Sequence, residues 1–422
     1  MKKFGCPNKF INMVRQLHDG MLARVLDDGE SSDAFPVTNG VKQGCVLAPT
    51  LFSMMFSAML SDAFRDDMET SMKIRFRTDG NIFNLRRLQA KTKVKEDAVR
   101  DFLFADDCAL NAASEAQMQR SMNRFSAACN NFGLTISTKK TEVLHQPAPN
   151  KPYVEPSIIV NGETLKAVDK FAYLGSTLSR LVNIDDEADI RIAKASTAFG
   201  RLRATVWERR GIKLATKLKV YKAVVLPTLL YACETWTVYV RHAKKLNRFH
   251  LNCLRKLLKI TWQDKVPDTD VLSQAKMPSI FCLLRKAQVR WAGHVVRMPE
   301  NRLPKKLFYG ELAEGKRSPG GQKKRFKDTL KVSLKSFDIK PDTWETQALN
   351  RPAWRSCVSK GATAYEKRRI AEAQSKRELR KSRANSEPST AEHLCPTCGR
   401  AFRARIGLIS HSRTHRPTTS TE

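Results

Sequence analysis

Apolar positions along the chain change their spacing as the sequence runs, and each change predicts a different kind of structure. Up to about residue 180 the apolar runs are short and broken by turn residues. Residues 52–64 (FSMMFSAMLSDAF) predict a helix, 99–110 (VRDFLFADDCAL) two short strands around an acidic turn, and 134–138 (LTIST) and 171–177 (FAYLGST) further strand pieces. From about Asp185 to Met298 apolar residues return every three or four positions with Lys or Arg between them, as in 190–207, 214–225 and 246–260. That spacing predicts helices packed on one face and charged on the other. Residues 301–385 hold a Gly-rich basic loop over 315–327 and a charged helix-like run over 365–383, neither of which needs a deep core. A polar stretch, ANSEPSTAE, leads into a short final motif. The fold class expected is α+β, mixed at first and then mostly helical.

Charge follows the same division. The 422 residues carry 75 Lys plus Arg and 42 Asp plus Glu, a net of +33. Residues 1–200 hold 26 basic and 24 acidic side chains, a net of +2, which leaves 49 and 18, a net of +31, for residues 201–422. A near-neutral unit joined to a strongly basic one predicts a polyanionic partner, nucleic acid ahead of an anionic membrane. With 41% hydrophobic residues the chain can bury two or three domain cores. The N-terminus lacks the apolar run and cleavage site of a secretory signal, and the apolar stretch Cys45–Leu60, interrupted by Pro49, is too short to span a bilayer. Ten cysteines, eight scattered and two paired, do not make a disulfide framework. A reducing compartment is expected, the nucleus first and the cytoplasm second.

The most specific motif is Cys395-x-x-Cys398, twelve residues, then His411-x-x-x-His415. Two thiolates and two imidazoles suit tetrahedral zinc, with the cysteines on a turn and the histidines on one helix face. Phe402 and Leu408 lie where such a unit needs apolar cover, and so small a unit is expected to fold on binding metal. Residues Leu394 to Arg416 resemble the two-Cys two-His zinc finger. The resemblance implies base contacts from Ala404, Gly407 and Ser410, none a strong reader, and phosphate contacts from Arg403, Arg405, Arg413 and Arg416. Backbone binding with weak sequence discrimination is expected.

Phe104-Ala105-Asp106-Asp107 is the second constellation. Adjacent carboxylates at a hairpin tip repel unless a cation or solvent separates them, so the pair reads either as a divalent-metal site or as a solvated turn. Around it stand NGVKQGCVLAPTLFSMMFSAML (Asn39 to Leu60), LTISTKKTEV (Leu134 to Val143) and FAYLGSTLS (Phe171 to Ser179). In this order and spacing the four segments resemble the reverse transcriptases of non-LTR retrotransposons, LINE-like elements that copy RNA at a nicked chromosomal target.

The resemblance implies roles by position. Asp106 and Asp107 correspond to the acidic turn that ligates catalytic magnesium, the first more than the second. Gln43 and Gly44 correspond to the segment beside the incoming nucleotide. Lys140 is similar to the lysine that protonates the leaving pyrophosphate, and Tyr173, Leu174 and Gly175 to the loop that grips the primer. The implied reaction is RNA-templated DNA synthesis, with an RNA template and a DNA primer or target as partners. Residues 1–180 would be a partial palm with fingers, 181–300 a helical thumb, 301–385 a basic region, 386–393 a linker and 394–416 the zinc finger.

One expected feature has no counterpart in the sequence. The family carries a further Asp on a strand upstream of the QG segment, in a D-x-x-x-A-F-D pattern. Asp19, Asp27, Asp28 and Asp33 precede Gln43 without that apolar context. The chain therefore reads as the C-terminal portion of a larger polyprotein, with no polymerase activity or only a trace by itself. The rival reading is a non-catalytic zinc-finger protein, derived from a retroelement, that binds DNA or RNA. In the basic half Lys217, Lys219, Lys222, Lys244, Lys245 and Arg248 are candidate phosphate contacts, and Trp291, Trp344 and Trp354 read as cores of helical packs more than as base-stacking surfaces.

Overall fold

The structure is a computed structural model and describes residues 1–38, 40, 44–65, 71–148, 150–315, 322–385, 393–402 and 404–415. Among the described residues helix outweighs strand, 53% against 13%, and the mixture is α+β as expected.

After α1 (Asn8–His18) and α2 (Ala48–Phe64), β1 (Met72–Phe76) pairs antiparallel with β2 (Lys95–Val99). The acidic segment forms its own two-stranded hairpin, β3 (Asp101–Phe104) and β4 (Asp107–Leu110). α3 (Glu115–Asn131) begins where the Ser114 hydroxyl accepts from the Gln117 amide at 3.3 Å. Its buried Phe125, Ala128 and Cys129 meet Met59, Ala63 and Phe64 of α2 in one small core, onto which Cys108 and Leu110 of β4 also pack.

Residues 134–138 are not the strand their alternation predicts. Leu134 and Ile136 pack on that small core, but among the described residues the segment pairs with no strand: 134–137 lie outside helix and strand and Thr138 opens a turn. The 171–177 segment does form strands, β5 (Lys170–Tyr173) and β6 (Ser176–Ser179), paired over four residues.

The helical half has two deep cores. α4 (Asp185–Arg201), the helical run across 214–229 and α5 (Val240–Leu258) build the first. Along α5 the buried positions Ala243, Leu246, His250, Leu254 and Leu257 step by three or four, the helical period read from the sequence. α6 (Ile280–Val296) is shared: Ile280 and Leu284 enter the first core, while Val289, Ala292 and Val295 enter the second. The second core is completed by α7 (Leu303–Tyr309), α8 (Phe326–Ser336), α9 (Trp344–Leu349) and α10 (Arg351–Asn385).

Residues 301–385 thus contribute to a deep core, whose buried side chains lie outside the basic loop and the charged run, chiefly between them. Trp344, Leu330 and Leu334 are fully buried and Trp354 nearly so, which places both tryptophans in cores, as read; Trp291 packs at the edge. Gly293 is required on α6, because a Cβ there would stand 2.0 Å from Trp354 Nε1.

Residues 71–99 are tied to this second core through Ile82, while Ile74, Phe76 and Val99 of the sheet make a small cluster of their own. β7 (Gly310–Leu312) extends the β1–β2 sheet by pairing with β1, Leu312 opposite Ile74. Ile82 is buried in the core, and the Glu345 carboxylate accepts from the amides of Asn81 at 2.6 Å and Ile82 at 3.1 Å. Packing therefore crosses residue 180 and residue 300 alike. After α10 the final unit has β8 (His393–Leu394), β9 (Ala401–Phe402) and α11 (Arg405–Ser412).

Candidate functional site

Two residues, Ala105 and Asp106, connect β3 to β4, with Ala105 left-handed (φ 53) and Phe104 paired with Asp107. So tight a loop leaves Asp106 in the turn and Asp107 at the head of β4, both exposed. Strand alternation turns Cys108 and Leu110 toward the helices instead. Burial, reinforced by Asp101 and Cys129, pushes the Cys108 thiol up to about 12, so it stays a neutral packing group.

A second turn lies against this hairpin. Leu174 (φ 48) and Gly175 (φ 78) are both left-handed, as a two-residue β-hairpin loop of this hand demands. Tyr173 Oη donates to the Phe102 carbonyl at 2.9 Å, and its pKa is raised by burial first, then by Cys108, Asp107 and Asp101.

Behind the turn stands a group that sequence reasoning missed. Arg191 Nε donates to Glu187 at 2.7 Å within α4, both side chains at most 5% exposed. The Thr177 amide donates to the same Glu187 carboxylate at 2.7 Å, Arg191 also donates to the Gly175 carbonyl, and Tyr231 Oη donates to the Leu174 carbonyl at 3.0 Å. The Arg191 guanidinium lies 4.5 Å from the centre of the Tyr231 ring. The Glu–Arg spacing of four is visible in the sequence as a helical pair. Its burial is not.

The structure thus brings Tyr173, Leu174 and Gly175 to the hairpin of Asp106 and Asp107. Gly44 is exposed and left-handed (φ 89), and Gln43 lies outside the described residues. Lys140 is exposed in a turn where its amide donates to the Ser137 carbonyl at 3.1 Å. Among the described residues no hydrogen bond or ion pair links Gly44 or Lys140 to the acidic turn. Nor does a third acidic, Cys or His side chain converge on it: one group of three or more such residues with converging donor atoms occurs among the described residues, and it is elsewhere.

That group is Cys395, Cys398, His411 and His415, whose donor atoms all lie within 4.8 Å of one another. A reverse turn sets the cysteines, with the Gly399 amide donating to the Cys395 carbonyl at 2.8 Å and the Cys395 amide to the Arg400 carbonyl at 2.9 Å. His411 is carried by α11 and His415 by the 3-10 turn that continues it, rather than by one unbroken helix. Cys398 Sγ is 3.0 Å and His415 Nε2 2.9 Å from His411 Nε2.

A tetrahedrally held ion with bonds of about 2.0–2.3 Å spaces its donors by about 3.3–3.8 Å, so these four side chains could hold a metal ion after small adjustments. Burial raises the Cys395 thiol, but hydrogen bonds from Cys398 and Thr397 outweigh it and the net direction is down, toward thiolate. His411 is lowered by burial, then by His415 and Arg400, which favours the neutral, ligating imidazole. The Phe402 ring covers His411 at 4.8 Å between centres, as its position in the sequence suggested. Arg403 and Arg416 lie outside the described residues; Arg405 and Arg413 are exposed.

Of the six candidate phosphate contacts, Lys217 donates to the Trp207 carbonyl at 2.7 Å and Lys245 pairs with Asp189, while Lys219, Lys222, Lys244 and Arg248 are exposed. No described helix is long and apolar enough to cross a membrane.

Residues 1–178 match the family described as reverse transcriptase (RNA-dependent DNA polymerase). A transposon-derived protein of Caenorhabditis elegans is 27% identical over 272 residues, covering 62% of this chain and 95% of that protein. The RNA-directed DNA polymerase from mobile element jockey of Drosophila melanogaster is 23% identical over 271 residues, 63% of this chain but 26% of that one. The retrovirus-related Pol polyprotein from a type-2 retrotransposable element of the same fly is 22% identical over 263 residues, 60% of this chain and 22% of that polyprotein. The chain therefore spans about a quarter of the length of these last two proteins. Residues 1–178 thus match the reverse transcriptase family, and the similar mobile-element proteins support a reverse transcriptase of the non-LTR retrotransposon type.

Proposed function

We propose that this chain is part of a retrotransposon RNA-directed DNA polymerase that binds nucleic acid and zinc and is catalytically incomplete by itself. One observation carries this reading: four Cys and His donors converge at the C-terminus, whereas no third ligand-type side chain among the described residues joins Asp106 and Asp107. Two neighbouring carboxylates on a solvated turn hold magnesium weakly, since that ion keeps its waters unless ligands and substrate phosphates surround it. Magnesium, when bound there, would activate the primer hydroxyl and neutralise the leaving phosphates.

In this reading Asp106 and Asp107 face the primer end and residues 173–175 grip the primer strand. Gln43 and Gly44 lie beside the nucleotide, and Lys140 supplies a proton to pyrophosphate. Residues 1–180 act as a partial palm, 181–300 as a thumb and 394–416 as a zinc finger whose exposed Arg405 and Arg413 meet phosphates. The protein works in the nucleus. The exposed Lys219, Lys222, Lys244 and Arg248 supply non-specific affinity for the template–primer duplex, so binding should weaken steeply with salt.

The test is a salt titration of binding to an RNA–DNA template–primer duplex. With five or more phosphates neutralised, the logarithm of affinity falls linearly with that of salt concentration, at a slope of about −4 or steeper. A flat profile, or equal affinity for a neutral polymer, would contradict the proposal.

A further inference from the structure

We infer that Glu187, Arg191 and Tyr231 are positioning residues that hold the 173–175 turn against the acidic hairpin, so that a nucleic-acid strand end gripped by the turn is presented to Asp106 and Asp107. The inference rests on the reading of that turn given under Proposed function and adds to it what sets its geometry.

A buried ion pair is a poor source of stability, because taking both charges out of water costs about as much as their attraction returns. The Glu187–Arg191 pair therefore needs another explanation, and its remaining hydrogen bonds provide one. Glu187 takes the Thr177 amide, Arg191 takes the Gly175 carbonyl, and Tyr231, stacked on Arg191, takes the Leu174 carbonyl. Three polar backbone groups of one short hairpin, two in its turn and one on β6, are fixed by three side chains from the helical half. On the other side Tyr173 fixes the same turn to the Phe102 carbonyl of β3, three residues before the acidic loop begins at Ala105.

The turn is thus determined from both faces, and a hairpin of this type needs neither to form. Tyr231 also comes within 3.8 Å of where a Cβ on Gly175 would stand, so the approach from behind is close-packed. What stays open is the tip. Leu174 there is 38% exposed, an apolar group on which a terminal base or sugar can rest.

The experiment uses the full chain and a template–primer duplex with a photoreactive thymidine at the primer 3′ end, and maps crosslinked peptides. Tyr231→Phe keeps the ring over Arg191 and removes only the hydroxyl. It should lower crosslinking to residues 173–178 about two- to tenfold, the worth of one hydrogen bond. Duplex affinity and thermal midpoint should hold, which a merely structural role would not predict. The double variant Glu187→Gln, Arg191→Met removes the pair without stranding a buried charge and should lower the same crosslink at least tenfold. If that variant fails to fold, the Tyr231 variant decides. Equal crosslinking at the turn in the parent and in Tyr231→Phe overturns this inference alone. A parent that crosslinks elsewhere and never at the turn overturns the strand-gripping reading and this inference with it.

Discussion

The acidic hairpin and the C-terminal Cys/His unit both gather ligand-type residues around a turn, yet different forces fold them. Cys108 and Leu110 of the hairpin pack on α2 and α3, so the hairpin keeps its shape whatever Asp106 and Asp107 hold. In the Cys/His unit Leu394, Ile406 and Ile409 are exposed, Leu408 is half-buried, and the Phe402 ring covers His411, one of the four convergent donors. A turn folded independently of its ligands survives as structure when its chemistry is incomplete. A unit folded by its ligands does not, so its convergent donors are the stronger sign of a working site.

The largest effect should come from breaking the second region. Cys395→Ser should take zinc from one ion per chain to none and unfold residues 393–415, because metal binding worth about 10 kcal/mol or more supplies the folding energy of such units; metal analysis and amide exchange check both. If zinc stays bound, the contrast between the regions fails. Trp344→Ala should cost about 3–5 kcal/mol in denaturant unfolding of the helical half, with zinc content unchanged. A parallel loss of zinc would mean that the unit is not independent of the body.

Acid should separate the body from both turns. Burial lowers His250 to about 4, and its Nδ1 lies 2.9 Å from the Tyr221 hydroxyl in the first helical core. Above about pH 6.5 the imidazole is neutral in both folded and unfolded chains, so nothing is lost. Between 6.5 and about 4 only the unfolded chain takes the proton, and stability falls by roughly 3 kcal/mol. Denaturant midpoints across that range should show the decline, and His250→Gln should flatten it. The smallest effect is expected at the acidic hairpin: Asp106→Asn with Asp107→Asn should shift stability by less than about 0.5 kcal/mol, since both side chains are exposed. A larger destabilisation would show that the carboxylates hold the hairpin together.

What could be read from the sequence was what repeats or sits close together. The three- and four-residue steps of α5, the tight turn at 105–106, the strand pieces within 171–177 and the spacing of the four Cys and His ligands all depend on neighbours in sequence, and all are present. Leu134 and Ile136 alternate as a strand would, but a strand also needs a partner, and alternation carries no information about one. The pairing of Ile74 with Leu312, and the hold of Glu345 on Asn81 and Ile82, join residues more than 230 positions apart, which no local pattern encodes. Glu187 and Arg191 look like an ordinary solvated helical pair until the fold buries them.

The central claim is that the acidic turn lacks a complete ligand set while the chain still binds nucleic acid. The direct measurement is primer extension on an RNA template with magnesium or manganese, run at protein concentrations where the duplex is fully bound. The account predicts bound primer and no extension, identical for the parent and for Asp106→Ala with Asp107→Ala. Extension by the parent that the double variant abolishes would contradict it, and would mean that another residue completes the metal site.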